Sequence, residues 1–95
     1  MEFQYQMTCR VCPEQYDIFD EENNRVAYFR YRHGRLTVNP YYKNSEVIDF
    51  SAIIYSEDRS WDKNSGWLTD EERPKVFERV NKALEEWLEN EKERF

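Results

Sequence analysis

Ninety-five residues carrying 20 Asp and Glu against 14 Lys and Arg, a net charge of −6, describe one short acidic chain. That length supports one hydrophobic core and leaves too little apolar material for a second, and the acidic balance argues against general nucleic-acid binding, which needs a broad basic face. Aromatic residues make up 17% of the chain and offset a hydrophobic fraction of only 39%, since large rings dominate core burial; with two Gly and three Pro, this composition excludes a disordered chain despite 36% charged residues.

Phe3, Tyr5, Met7 and Cys9 alternate with polar residues, which predicts a half-buried strand over about 3–9, ended by Pro13 and its missing amide donor. The start MEFQYQ lacks the basic and apolar regions of a signal peptide, and no stretch reaches the roughly 20 apolar residues of a membrane span, so a cytoplasmic location is expected. Cys9 and Cys12 have CxxC spacing but are too close in sequence to staple a fold. Zinc takes four ligands, and His33 is the one further soft ligand in the chain, so no metal and no cofactor are expected and reduced cysteines are the simpler reading. A symmetric dimer pooling two such pairs is the alternative.

Strands follow at about 15–21, 25–32 and 35–39. Treating Asn23-Asn24 as a two-residue turn places Tyr16 opposite Tyr31, Ile18 opposite Phe29 and Asp20 opposite Ala27, with Asp17 meeting Arg30 and Phe19 meeting Tyr28 on the other side. A second turn at His33-Gly34 sets Leu36 beside Tyr31, Val38 beside Phe29, Thr37 beside Arg30 and Arg35 beside Arg32. Both hairpins thus select one apolar face, which a one-residue slip would destroy. Ile48, Phe50, Ala52 and Ile54 alternate again and predict a further strand over 46–55. After a polar stretch, Thr69-Asp70-Glu71-Glu72 has capping-box spacing, and Val76, Phe77, Val80, Ala83, Leu84, Trp87 and Leu88 recur at helical steps, predicting a helix over about 70–92. The one apolar surface left for that stripe is the sheet face bearing Ile18, Phe29, Leu36, Val38, Phe50 and Ile54. The expected architecture is therefore α+β, a single domain in which an antiparallel meander of four to five strands carries one C-terminal amphipathic helix across one face. Phe95 and the stripe around Trp87 leave a homodimer and a completed monomer core as alternatives.

Catalytic signals are absent. His33 has no Ser-His-acid or Cys-His context, and an enzyme is not expected. Asp58, Ser60, Asp62, Asn64 and Gly66 alternate like a calcium loop, but the sixth position is Lys63 rather than Gly and the twelfth is Thr69 rather than Glu.

The run Arg25 to Ser45 holds five Lys and Arg, four Tyr and no acid, inside a chain of net charge −6. On the sheet side away from the helix it gathers Tyr28, Arg30, Arg32, Arg35 and Thr37, with Phe19 and Val26 alongside. Arg and Tyr are enriched at binding hot spots because planar side chains stack and guanidinium forks grip anions. Trp61, in a polar loop, is a further candidate contact, set against the bland alternative that it folds back over the core edge. These residues are the expected partner-binding set, with an acidic protein surface as the first partner class and a nucleotide or single-stranded nucleic acid as the second. The plain alternative is a solvated face in which Asp17 and Glu46 neutralise the arginines. A third class reverses the polarity: Glu78, Glu85, Glu86, Glu89 and Glu93 on the helix present acid to a basic enzyme, diluted by Arg73, Lys75, Arg79 and Lys82.

The string CPEQYDIFDEENNRVAYFRYRHGRLTVNP, Cys12 to Pro40, resembles a group of short proteins of low-GC Gram-positive bacteria and their phages that share a CPEQYD-F segment, a Y-R-R-G segment and a TV-P ending. It departs at Ala27, where that pattern has Gly. The resemblance implies phage-related context, and with it a modulator or inhibitor of a host protein, defence proteins included.

Overall fold

The structure, a computed structural model, describes residues 2–9, 14–42, 45–61 and 66–93. Among them, β1 (Gln4–Cys9), β2 (Glu14–Phe19), β3 (Arg25–Arg32), β4 (Arg35–Pro40) and β5 (Tyr55–Asp58) form one antiparallel sheet in the order β1-β2-β3-β4-β5, followed by α1 (Glu72–Glu93). The layout is the α+β meander with a single C-terminal helix that alternation and capping signals predict. Cys12, Asp62, Asn64 and Phe95, on which part of the CxxC, calcium-loop and dimer expectations rests, lie outside the described residues.

The β3–β4 hairpin forms as expected. Arg32 pairs with Arg35, Tyr31 with Leu36, Arg30 with Thr37 and Phe29 with Val38. His33 and Gly34 both take positive φ, 53° and 74°, as the two-residue turn requires. Gly34 is under a second constraint: a Cβ there would lie 3.0 Å from the Cα of Ser60, because the loop after β5 packs against the turn and Arg59 N donates to Gly34 O at 2.6 Å. Gly34→Ala is therefore expected to cost at least about 1–2 kcal/mol, the penalty for an L-residue in the left-handed region alone. Urea unfolding checks this, and unchanged stability would contradict it.

The β2–β3 hairpin differs from the expected register by two residues. Tyr16 pairs with Phe29, Ile18 with Ala27, Asp17 with Tyr28 and Gln15 with Arg30, not Tyr16 with Tyr31 or Asp17 with Arg30. The turn is longer than Asn23-Asn24 because Asp20 closes it with its own side chain. Its Oδ1 accepts from the amides of Glu22 at 3.0 Å and Asn24 at 2.8 Å, and Asn23 alone takes positive φ. Phe19 then pairs with Arg25, which leaves Val26 as an extra residue that packs against the core rather than lying on the outer face. A two-residue slip preserves the alternation, so Tyr16, Ile18, Ala27, Phe29 and Tyr31 still share one side.

A continuous strand over 46–55 does not form. Only a bridge between Tyr41 and Ile48 and the pairing of Tyr55–Asp58 with β4 are present there. Asp49 breaks the alternation: its carboxylate accepts from the amide and hydroxyl of Ser51, and the turn lifts Phe50 to 66% exposure instead of the expected inward position. Ile54 still packs against the core. The polar Tyr55–Asp58 segment supplies the fifth strand because Glu57, paired with Leu36 on the helix side, meets Arg79 at 3.1 Å and Arg59 at 3.5 Å.

α1 starts with the expected capping box: Glu72 N donates to Thr69 Oγ1 at 3.1 Å, and Thr69 N donates to Glu72 Oε2 at 3.4 Å. Val76, Val80 and Leu84 are buried with Tyr16, Ile18, Phe29, Tyr31, Leu36 and Val38. Phe77 stacks on Tyr5 at 4.0 Å and meets Phe29 and Tyr16 edge-on. The helix thus covers one face of the sheet and leaves the other open.

Candidate binding face

On the uncovered side, strand alternation places Tyr28, Arg30 and Arg32 from β3 and Arg35 and Thr37 from β4, of which Arg32 and Arg35 are exposed and the other three half-buried. The ladder sets Arg30 against Thr37 and Arg32 against Arg35, so three guanidinium groups occupy alternate rungs on either side of the core-facing Tyr31–Leu36 pair. A cross-strand pair of like charges opposes pairing by roughly 0.2–1 kcal/mol, a local cost that Asp58, across from Arg35 on β5, offsets in part. Arg30, Arg32, His33, Arg35 and Thr37 line a shallow depression of ≈ 230 Å³.

The local chemistry leaves the cluster cationic. Among the described residues, no carboxylate lies within ion-pair distance of Arg30, Arg32 or Arg35. Arg30 Nε is buried and has no hydrogen-bond partner among the described residues. Arg32 Nε donates to His33 Nε2 at 2.9 Å, which leaves the imidazole Nδ1–H to donate outward. Asp58 pairs across from Arg35; its carboxyl is held below the usual range chiefly by the Ser60 amide, with Arg35 a smaller cause.

Asp17, expected as a neutraliser of these arginines, is engaged elsewhere. It accepts from Tyr41 Oη at 2.5 Å and pairs with Arg25 at 3.6 Å, whose guanidinium lies over the rings of Phe19 and Tyr41. Burial first, and this bond second, push the Tyr41 hydroxyl well above the usual tyrosine range. The outer face is thereby divided into a closed aromatic–Asp17 end and an open Arg30–Arg32–Arg35 end.

The expected partner-binding set is only partly gathered. Arg30, Arg32, Arg35 and Thr37 converge. Tyr28 lies two residues before Arg30, between Asp17 and Asn39, outside the depression. Trp61 is 68% exposed rather than folded over the core edge, with the Arg59 guanidinium 4.8 Å from its ring. Arg59 is itself buried, bonded to Glu72 at 2.8 Å and Tyr31 Oη at 3.2 Å, so the indole rests on an anchored cation at the β5 end. His33 is the lining residue missing from the expected binding set, weighed from the sequence as a metal ligand and a catalytic base and kept as a turn former; its place next to Arg32 in an open left-handed turn is the signal that marks it.

Among the described residues, no group of three His, Cys, Asp or Glu side chains is placed to hold a metal ion, and no helix is long and apolar enough to cross a membrane. Compared with family models, curated proteins and solved structures, the chain matches none of them.

Proposed function

We propose that this chain is a non-enzymatic interaction protein that binds an acidic protein partner through the Arg30–Arg32–Arg35 end of its open sheet face. The observation that carries this reading is a cluster of three arginines with no carboxylate within ion-pair distance among the described residues, one of them with a buried Nε–H that has no partner there. Buried donors are normally satisfied, and leaving one unmet costs roughly 1–3 kcal/mol, so a site that tolerates this beside a like-charge pair is suited to an external anion. Local departures of this kind concentrate where a surface serves a partner.

The depression holds ≈ 230 Å³ and carries no Phe, Tyr or Trp ring. That is small for a nucleotide, whose sites run roughly 300–1,000 Å³, and it lacks the stacking platform that single-stranded nucleic acid uses. An acidic side chain of a protein fits it better. His33 is bonded to a cation, Arg32, rather than oriented by an acid, which is the wrong environment for a general base. The resemblance of residues 12–40 to phage and low-GC Gram-positive proteins supports a cytoplasmic modulator or inhibitor of a host protein, defence proteins among them.

The test is a pull-down from nuclease-treated host extract with wild type and the Arg30→Glu/Arg32→Glu variant. Wild type is expected to retain a specific partner and the variant to lose it at least tenfold, the low end of what removing interfacial charge contacts costs, with coincident thermal unfolding curves. Identical partners on both proteins would refute the reading, and so would binding that depends on nucleic acid.

A further inference from the structure

Resting on that reading, we propose that the Arg30–Arg32–Arg35 depression receives a phosphate monoester dianion borne by a side chain of the protein partner. Three guanidinium groups on alternate rungs of the β3–β4 ladder present more positive charge than one carboxylate neutralises. A phosphoryl group brings a charge of roughly −1.5 to −2 and three acceptor oxygens, and Arg forks match it bidentately. The other lining groups are also donors: the Thr37 hydroxyl and the His33 Nδ1–H, freed because Nε2 accepts from Arg32. The anion draws the Arg30 guanidinium toward the depression and gives its orphaned Nε–H an acceptor.

The charge arrangement selects for this anion. Asp17 is held by Tyr41 and Arg25 at the other end of the face, and Asp58, whose charge acts on Arg35 from the neighbouring strand, is itself bonded to the Ser60 amide outside ion-pair distance of the cluster. A volume of ≈ 230 Å³ admits a phosphoryl group and the first atoms of the side chain bearing it. The shallow opening between flat strands leaves room for the extended backbone on either side.

The experiment follows the Arg Nε–Hε signals of the full chain by NMR during titration with phenyl phosphate, benzoate and adenosine 5′-monophosphate at constant ionic strength, near pH 7.5, where the phosphate esters are mostly dianionic. Saturable shifts of the Arg30 and Arg32 signals with phenyl phosphate are expected at millimolar concentration, with benzoate at least tenfold weaker. Arg32→Gln, which removes one fork while keeping a polar side chain, is expected to weaken phenyl phosphate at least tenfold with the amide spectrum otherwise unchanged. Benzoate binding as tightly as phenyl phosphate would overturn the dianion while leaving the acidic-partner reading intact. Markedly tighter binding of the nucleotide would overturn the protein source. Absence of any saturable shift would overturn the proposal, and the pull-down then decides the broader reading separately.

Discussion

Arg73→Met is expected to destabilise the protein by about 3 kcal/mol or more, because it strands a charge inside the fold. Glu14, the first residue of β2, is fully buried. Arg73, in the first turn of α1, grips both its oxygens, Nε to Oε2 and Nη2 to Oε1, each at 3.0 Å. Tyr16 Oη donates to Oε2 at 2.8 Å and Leu68 N to Oε1 at 2.9 Å, completing the shell around the carboxylate. Burial, and next the bond to Glu14, push the Tyr16 hydroxyl up to about 12, so this donor stays protonated under ordinary conditions. The Glu14 hydrogen bonds are likewise the main reason the Arg73 guanidinium is held charged beyond the ordinary arginine range.

Removing one member of a buried pair typically costs about 3–5 kcal/mol, since the survivor keeps its desolvation penalty without compensation; Arg73, at 23% side-chain exposure, belongs toward the lower end. The discriminating control is Glu14→Gln in the same background. A neutral amide still accepts from Leu68 N and offers its NH₂ to the Tyr16 oxygen, so the double variant is expected to recover at least half of the loss, on the order of 1–2 kcal/mol. Urea unfolding of both variants measures this. A single variant within about 1 kcal/mol of wild type would show that the pair adds nothing the fold requires.

Phe29→Ala is expected to cost about 3–5 kcal/mol, the range for emptying a buried Phe site. Phe29 is fully buried and stands edge-on to Tyr16 at 5.4 Å, Phe77 at 5.7 Å and Tyr5 at 6.4 Å. This four-ring cluster ties β1, β2 and β3 to the helix, and each such pair adds roughly 0.5–1.5 kcal/mol beyond area burial. The loss in Phe29→Ala/Phe77→Ala is expected to fall short of the sum of the single losses, because the two side chains share contacts. A domain stability of about 5–15 kcal/mol makes the single variant close to unfolded if the total lies at the low end. A cost below about 2 kcal/mol by chemical unfolding would mean that the surrounding rings collapse into the space.

Much of this molecule is local chemistry and is therefore readable from its residues. Alternation selects Ile18, Phe29, Leu36 and Val38 for one face, because a strand reverses its side chains at every residue. His33-Gly34 defines its hairpin, since two adjacent positive-φ residues form one turn and no other. Thr69 to Glu72 starts the helix through bonds that span three residues. The grouping of Arg30, Arg32, Arg35 and Thr37 follows directly from that hairpin's register, which is why the candidate site emerged together with the fold.

What the sequence could not decide depends on partners distant in the chain. No local pattern marks Glu14 as buried; α1 brings Arg73 to it across 59 residues. Ser56, Glu57 and Asp58 read as the start of a polar irregular stretch until Arg79 and Arg59 reward an inward-facing Glu57. Phe50 alternates correctly and is still exposed, because a side-chain turn at Asp49 is worth more locally than one more rung of ladder. The same holds at the open face: that Asp17 serves Tyr41 and Arg25 rather than Arg30 follows from a two-residue shift in the β2–β3 register, set by Asp20 closing its own turn. Period and turn chemistry act over a few residues and are written in order along the chain, whereas the pairing of buried charges is a competition among all folded arrangements, settled only when the helix meets the sheet.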